Sequence, residues 1–295
     1  MTIVIAGGSG FLGRKLTKLL EGAGHSVRIL TRHPRGASDI NWNPDGSPGA
    51  LRRDLQGVDA VVNLAGEGIA DRRWTAARKA ALRSSRILST QTLVRAVAQC
   101  APPPKVFVNA SAVGYYGPRG KEPITESSTP GSDFLAGLCL EWEQEARAVA
   151  SSSTRLAIVR TGLPLDKDGG VLGKMLLPFN LGLGATLGSG EQFMPWIHAD
   201  DWTAMIAWLI QTDRAGGVFN ASAPTPVTNR DFTRTLGRVL KRPAILHAPA
   251  FALQAVLGEM ATILTTGQSA LPAYAEHLGF RFTYRTLEPA LRSLL

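Results

Sequence analysis

Near its start the chain reads Thr2-Ile3-Val4-Ile5-Ala6-Gly7-Gly8-Ser9-Gly10-Phe11-Leu12-Gly13, and this order constrains the fold more than any other stretch. The β-branched run predicts a buried strand, and Arg14 to Leu20 predict a helix. Between them, Gly7, Gly10 and Gly13 are spaced G-x-x-G-x-x-G. In a strand–glycine turn–helix unit the glycines let the backbone approach a pyrophosphate, and the helix N-terminus offers it free N–H groups. Gly7, Gly10, Phe11 and Leu12 are therefore the first candidate cofactor-binding residues. The alternative is a Gly-rich turn with no ligand.

A second strand, His25 to Thr31, ends at Thr31-Arg32. A carboxylate near this strand end would bond a ribose 2′-hydroxyl, whereas an arginine accommodates a 2′-phosphate. Arg32 stands there, with Arg35 close by and no acid before Asp39. Thr31 and Arg32 thus favour NADP(H) over NAD(H). Asp59 to Gly66 predict a strand on the far side of the topological switch, so Leu64, Ala65, Gly66 and Glu67 are expected along the cofactor edge. Trp74 to Gln99 predict a long helix. Its first part and the residues before it hold Arg72, Arg73, Arg78, Lys79, Arg83 and Arg86 without an acid. Lys79, Arg83 and Arg86 share one helical face. That face is read either as solvated or as placing Arg86 against a cofactor phosphate or an anionic substrate.

At 295 residues the chain has room for one large α/β domain or two unequal lobes. No apolar run reaches the roughly 18–20 residues that span a bilayer, and Met1 leads directly into a strand. The expectation is a cytoplasmic protein with no membrane partner. A net charge of +9 raises the question of nucleic acid, but no long basic tail stands out, and a polyanionic cofactor with a basic solvated face explains the charge equally well. No nucleic-acid partner is expected. Cys100 and Cys139 form no metal-like or redox-like cluster and are read as buried thiols, so no metal site is expected.

Pro102-Pro103-Pro104 ends the long helix, and Lys105 to Ser111 predict a further strand, followed by Ala112-Val113-Gly114-Tyr115-Tyr116-Gly117. Here the chain resembles an extended short-chain dehydrogenase/reductase, in which a strand ends in a catalytic serine a few residues before a Tyr-Gly pair. Ser111 matches that serine, and the resemblance implies that its hydroxyl polarises a substrate carbonyl or bonds a substrate alcohol. A serine capping the turn is the structural alternative. The usual members also carry Tyr-x-x-x-Lys on the next helix, whose lysine prepares the phenol for proton transfer. Phe134 and Leu138 occupy those positions, and neither can move a proton.

The departure is shared by one atypical, epimerase-like branch, often labelled nucleoside-diphosphate-sugar epimerases, which the whole chain resembles. The matching residues are Gly7 to Gly13, Thr31-Arg32, Asn63 to Glu67, Arg73-Trp74, Tyr115-Tyr116, Asp133-Phe134-Leu135, Trp142-Glu143 and Arg160-Thr161-Gly162. They continue through Met175 to Phe179, Gly182-Leu183-Gly184, Gly188-Ser189-Gly190 and Pro195-Trp196-Ile197-His198. The implied fold is α/β, a Rossmann-like doubly wound parallel sheet. Residues 1–164 would form its main part, and residues 165–295 would complete the sheet and build a smaller C-terminal substrate-side cap.

A strand from Thr154 to Thr161 places Thr161 on the nicotinamide side in such a fold. Phe193 to His198 predict another strand, with Asp200 or Asp201 capping a helix from Trp202 to Gln211. His198 is read as a structural partner of that cap or, less simply, as a proton carrier. Val218 to Ala221 predict a short strand, Asn229 the cap of a helix over 230–240, and Phe251 to Leu264 and Thr286 to Leu294 two more helices.

The function expected is that of an NADP(H)-dependent oxidoreductase acting on a small carbonyl or alcohol. Ser111 would orient the oxygen, and Tyr115 or Tyr116 would donate the proton. Packing against the nicotinamide or the cap is the other role open to the tyrosines. A non-catalytic NADP(H) sensor and a sugar-nucleotide epimerase are the competing classes. Substrate identity and oligomeric state are not written in these motifs.

Overall fold

In the computed structural model, which describes residues 1–151 and 153–295, the apolar runs become seven parallel strands. They are β1 (Thr2–Ala6), β2 (Ser26–Thr31), β3 (Asp39–Asn41), β4 (Ala60–Asn63), β5 (Val106–Ala112), β6 (Arg155–Thr161) and β7 (Gly217–Ala221). Their order is β3-β2-β1-β4-β5-β6-β7, and every neighbouring pair is parallel. Strand order reverses between β1 and β4, the doubly wound arrangement in which a crevice opens at the C-terminal strand ends. The fold is the Rossmann-like one that the glycine turn implies.

Both faces of the sheet are covered, which is why its strands read as continuous apolar runs rather than alternating ones. Ile3 and Ile5 point to one side, where helices α1 (Phe11–Gly22) and a later helix from Ala199 to Gln211 supply Leu16, Leu20, Trp202, Met205 and Ile206. Val4 and Ala6 point to the other, against Leu93, Val94 and Val97 of α2 (Ala76–Val97) and Ala146 of α3 (Phe134–Arg147). Burying each such side chain contributes roughly 1.5–3 kcal/mol. The long helix starts two residues later than Trp74 because Thr75 caps it, accepting from the Arg78 N–H.

At Gly162 the chain leaves the sheet for a second lobe. A Cβ there would lie 2.0 Å from the Pro195 carbonyl oxygen, which itself accepts from Leu163 N–H at 2.7 Å. Only glycine fits this crossing. The lobe has its own core, including Leu172 and Phe179 of α4 (Gly170–Asn180), Trp196, Phe232 and Leu236, and Leu287 and Leu291. The chain then returns to the sheet as β7, after α5 (Ala199–Gln211), and resumes the lobe with α6 (Asn229–Leu240), α7 (Ala250–Leu257) and α8 (Leu287–Leu294).

Several expected boundaries shift for local reasons. Pro195 splits the expected 193–198 strand, because it has no N–H to give. Phe193–Met194 pairs with Val227–Thr228, and Trp196–His198 with Leu163–Leu165. Neither Asp200 nor Asp201 caps α5. The helix begins at Ala199, and His198 Nδ1 accepts from the Asp200 N–H at 3.0 Å. Asp201 instead accepts from Thr283 and Tyr284 N–H groups, pinning the C-terminal segment. Thr228, not Asn229, caps α6, and the Asn229 side chain takes the Leu187 N–H. The expected 251–264 helix stops at Leu257, where Gly258 adopts φ +63°, and resumes only over Thr262–Thr265.

His198 is the structural partner. It is buried, its ring stacks on Tyr284 at 3.9 Å, and burial lowers its pKa despite the nearby Asp200 and Asp201. Cys100 and Cys139 are both free and buried.

Gly162→Ala is expected to destabilise the chain by about 1–3 kcal/mol through overpacking at the crossing. Gly22→Ala, where a Cβ meets nothing within 4 Å, is the control and is expected to be neutral or slightly stabilising. Urea unfolding of the two variants separates these outcomes.

Candidate functional site

Each glycine of the first turn is required by a specific approach. Gly7 has φ +80°, and a Cβ on it would lie 2.6 Å from the Leu64 carbonyl oxygen, so the turn presses against the end of β4. A Cβ on Gly13 would come within 2.3 Å of the Gly7 carbonyl oxygen. Gly10, the N-cap of α1, donates to that same oxygen at 3.0 Å and brings no side-chain cap, and the first turn of α1 holds no acid. The Arg14 guanidinium donates to the Ser9 carbonyl at 2.5 Å, so the first amides of α1 face a turn with a cation and no acid, where the helix dipole also favours an anion. Leu12 packs on the core, while the Phe11 ring lies so close to Gly169 that a Cβ there would be 2.6 Å from it. The turn is therefore tied to α4 of the second lobe.

At the end of β2, Thr31 accepts from the His33 N–H through its hydroxyl, and Arg32 is exposed. Among the described residues Arg32 has no ion-pair partner. It lines a cavity of about 450 Å³ together with Asn41, Trp42 and Thr92. Asp39, the nearest acid in sequence, is occupied by the Arg35 and Gly36 N–H groups. Asp45 lines the same cavity, but its oxygens accept from Asn43 Nδ2 and the Ser47 N–H, so the strand end itself presents a cation.

Along the β4 edge, Leu64 and Ala65 are half-buried, and Gly66 and Glu67 are exposed. Asn63 steers this edge from below: its Oδ1 accepts from the Ala65 N–H, and its Nδ2 donates to Thr90 and Asn109. Trp142 of α3 donates to the same Thr90 oxygen. The basic run that follows lies at the surface, with Arg72, Arg73 and Arg83 exposed, and several of its members are paired. Arg78 pairs with Glu67, Lys79 with Glu259, and Arg83 with Glu141. Arg86 corrects an expectation. Its guanidinium donates to the Leu82 and Glu67 carbonyls at 3.1 and 3.0 Å, lies over Gly66 and faces the Trp142 ring. It braces the β4 loop from behind, because its N–H groups are aimed at main chain rather than into the crevice.

The strand ends of β5 and β6 meet in a buried polar network. Ser111 Oγ donates to Glu143 Oε1 at 2.8 Å. Arg160 binds both oxygens of Glu143, Nε to Oε1 at 2.8 Å and Nη2 to Oε2 at 2.9 Å. Its Nη1 donates to the Tyr116 hydroxyl at 2.9 Å, and that hydroxyl donates to Asn220 Oδ1 at 2.7 Å. Burial by itself lowers the Arg160 pKa, but the hydrogen bonds and charge of Glu143 more than offset it, and the net shift is upward. Arg147, exposed on α3, also approaches Glu143 Oε2 at 3.6 Å.

This network revises two roles. Tyr116 is fully buried, burial pushes its pKa up to about 12, and both hydroxyl functions are taken, so it leaves the candidate proton donors. Ser111 is also buried, and its proton is committed to Glu143. With that proton engaged, the hydroxyl is not free to donate to a further partner. Tyr115 differs from both: its half-buried ring stacks on the Arg160 guanidinium, with Cζ 3.4 Å from the ring centroid, and its hydroxyl makes no hydrogen bond among the described residues. Thr161, at the end of β6, accepts from Trp202 Nε1 at 3.1 Å. Glu143, Arg160 and Asn220 had no assigned role in the sequence reading. Their signal was a single charge ending the apolar run Leu156 to Val159; Glu143 is one of two acids flanking Trp142, and nothing local separates it from Glu141.

A sequence-family model described as the NAD dependent epimerase/dehydratase family matches residues 3–222. The chain belongs to that family. A second model, a domain of unknown function, matches residues 248–294. Among relatives, an epimerase family protein of Mycobacterium bovis is 42% identical over 294 residues, covering 98% of this chain and 96% of that one. The epimerase family protein SDR39U1 of Bos taurus is 41% identical over 300 residues, covering both chains fully. A crystal structure of the human epimerase family protein SDR39U1 with NADPH superposes with a TM-score of 0.94 at 37% identity, covering 100% of this chain and 99% of that one.

Within this epimerase/dehydratase fold the positions of the missing Tyr–Lys pair are filled by packing. Phe134 meets Trp74 edge-to-face at 5.2 Å and lies under the Lys79 ammonium, and Leu138 is buried. The positive charge nearest an available phenol is Arg160, one strand away. Removing one partner of the buried pair by Glu143→Ala is expected to cost about 3–5 kcal/mol, while Tyr116→Phe costs about 1–3 kcal/mol by leaving Asn220 and Arg160 underbonded. Denaturant midpoints of the two variants check this order.

Proposed function

We propose that this chain binds NADP(H) and works, in the cytoplasm, as an oxidoreductase on a small carbonyl or alcohol. The observation that carries the reading is the unpaired Arg32 at the end of β2, beside a glycine turn in which backbone atoms deny a Cβ to Gly7 and Gly13. The NADPH bound to the human relative supports it. The residues fit the cofactor. The Gly7–Gly13 turn and the first amides of α1 would hold the pyrophosphate, and Arg32 the 2′-phosphate. Leu64 to Glu67 would border its path, held in place by Arg86, and Thr161 would close the nicotinamide side.

When bound, the cofactor supplies or accepts a hydride. The chain's own part is to hold the oxygen of the substrate and move its proton. Ser111, with its proton fixed on Glu143, offers lone pairs to a substrate hydroxyl. Tyr115 is the group with a free hydroxyl and would carry the proton, with the fixed Arg160 charge against its ring in place of the lysine of the usual pair. Phe134 and Leu138 support a second reading, an NADP(H) sensor with little turnover, since nothing at their positions relays a proton.

Fluorescence titration with NADPH and NADH tests the first claim. Wild type is expected to prefer NADPH, and Arg32→Ala to lose that preference by tenfold or more, since a hydrogen bond to a charged group contributes about 1.5–3 kcal/mol. Tyr115→Phe is expected to leave NADPH affinity unchanged and to abolish turnover of any carbonyl that wild type reduces. Failure of wild type to bind either nucleotide would overturn the reading.

A further inference from the structure

The outer edge of the second lobe carries apolar side chains that the fold leaves uncovered. Leu177, Leu181 and Leu183, on and just after α4, are exposed, and so are Leu246, Ile245 and Phe251, the last two at 86% and 76%. They form one strip. Leu177 and Leu181 are a turn apart on the same helical face. The Leu246 N–H donates to the Gly184 carbonyl at 3.2 Å, and Leu246–Ala248 pairs with Ala185–Leu187. α7, which begins immediately before Phe251, reads AFALQAVL and buries none of its residues. Contiguous exposed apolar surface of this kind marks a contact with something outside the chain.

Charge decides which contact. From Phe232 to Gly258 the chain holds Arg234, Arg238, Lys241 and Arg242 and no acid. Arg238 is paired with Glu288, but among the described residues Lys241 and Arg242 form no ion pair. Both are exposed just before the apolar tip, Lys241 at the left-handed C-cap of α6 with φ +53°. A second copy docked through the same edge would bring further unpaired cations and, from Phe232 to Gly258, no acid to neutralise them. An anionic surface would neutralise them. Projecting aliphatic and aromatic side chains with unpaired bases directly behind them match the chemistry of an acidic lipid interface.

We propose that this edge docks on an anionic membrane surface. Ile245, Leu246 and Phe251 enter the headgroup–acyl boundary, and Lys241 and Arg242 meet the lipid phosphates. No helix among the described residues is long and apolar enough to cross the membrane, so the attachment is peripheral. It departs from the expectation of no membrane partner, which rested on contiguous apolar runs; this strip is assembled from separate segments. The docked edge lies beside the loop after β4, because the Ala255 carbonyl of α7 accepts from Arg73, and Glu259 pairs with Lys79.

The test is co-sedimentation of the full chain with phosphatidylcholine vesicles and with vesicles of phosphatidylcholine and phosphatidylglycerol. Binding is expected only to the anionic vesicles and is expected to weaken at high salt. Lys241→Glu with Arg242→Glu is expected to reduce it by roughly tenfold or more. Ile245→Glu with Phe251→Glu is expected to abolish it, and both variants are expected to stay folded, because all four side chains are exposed; the charge reversal at the C-terminus of α6 costs at most about 1 kcal/mol. Wild type that stays in the supernatant with anionic vesicles overturns the proposal, as does binding that these variants leave intact. A wild-type dimer that Ile245→Glu dissociates would assign the edge to a second copy. Preference for a polyglutamate chain over the vesicles would assign it to an acidic protein.

Discussion

The structure depends on a pair of charges that water cannot reach. Arg160 and Glu143 are each about 2% exposed, and an isolated charge at such a site would cost several kcal/mol even after relaxation. Two parallel hydrogen bonds make the pair tolerable. Ser111 donates to Glu143, Arg160 donates to Tyr116 and to the Glu126 carbonyl, and Tyr116 in turn donates to Asn220, so that β5, β6, β7 and α3 are joined through one set of polar contacts. Sheet packing alone would allow these strand ends to slide or splay. A polar network that is satisfied in only one register does not.

The same pair explains how the chain departs from the short-chain dehydrogenase/reductase pattern without losing its architecture. In the usual arrangement the cation near the phenol is a lysine one turn along the same helix. Here that helix, α3, presents Phe134 and Leu138, which pack against Trp74 and into the core, and contributes Glu143 one to two turns further on. Glu143 holds Arg160 rigid, and Arg160 in turn stacks on Tyr115. The cation has moved from the helix to the strand. A guanidinium with both ends of its fork on a carboxylate is a fixed charge that cannot itself trade protons, so any proton transfer at this site belongs to the phenol and to solvent.

Much of this was legible beforehand, for identifiable reasons. The glycine turn and the apolar runs Ile3–Ala6, Ala60–Asn63 and Val106–Val108 specify strands buried on both faces, and such strands admit few arrangements. The single cation at Arg32 was legible because its position is counted from the end of a strand. Helix caps were legible only to within a residue or two. Where Asp200, Asp201 and His198 stand side by side, any of them is chemically able to cap α5. The choice fell to His198 because Asp201 was needed by the Thr283 and Tyr284 amides, more than eighty positions away. The network at Ser111 was hidden for the same reason. Its members come from positions 111, 116, 143, 160 and 220, and no local pattern links a serine to a glutamate thirty-two residues later.

That distance also separates the two halves of the functional problem. The nucleotide half is written in local backbone geometry: Gly7, Gly10 and Gly13 are dictated by contacts within the first strand–helix unit and with β4. The reactive half is written in side-chain contacts between distant segments, so it varies while the fold and the glycine turn stay put. Ser111 illustrates the consequence. Its position at the end of β5 matches the family, yet its proton is directed to the Glu143 carboxylate, a partner that no motif around position 111 announces. A residue matched by motif alone keeps its place, while its hydrogen-bond partners are set by segments distant in sequence.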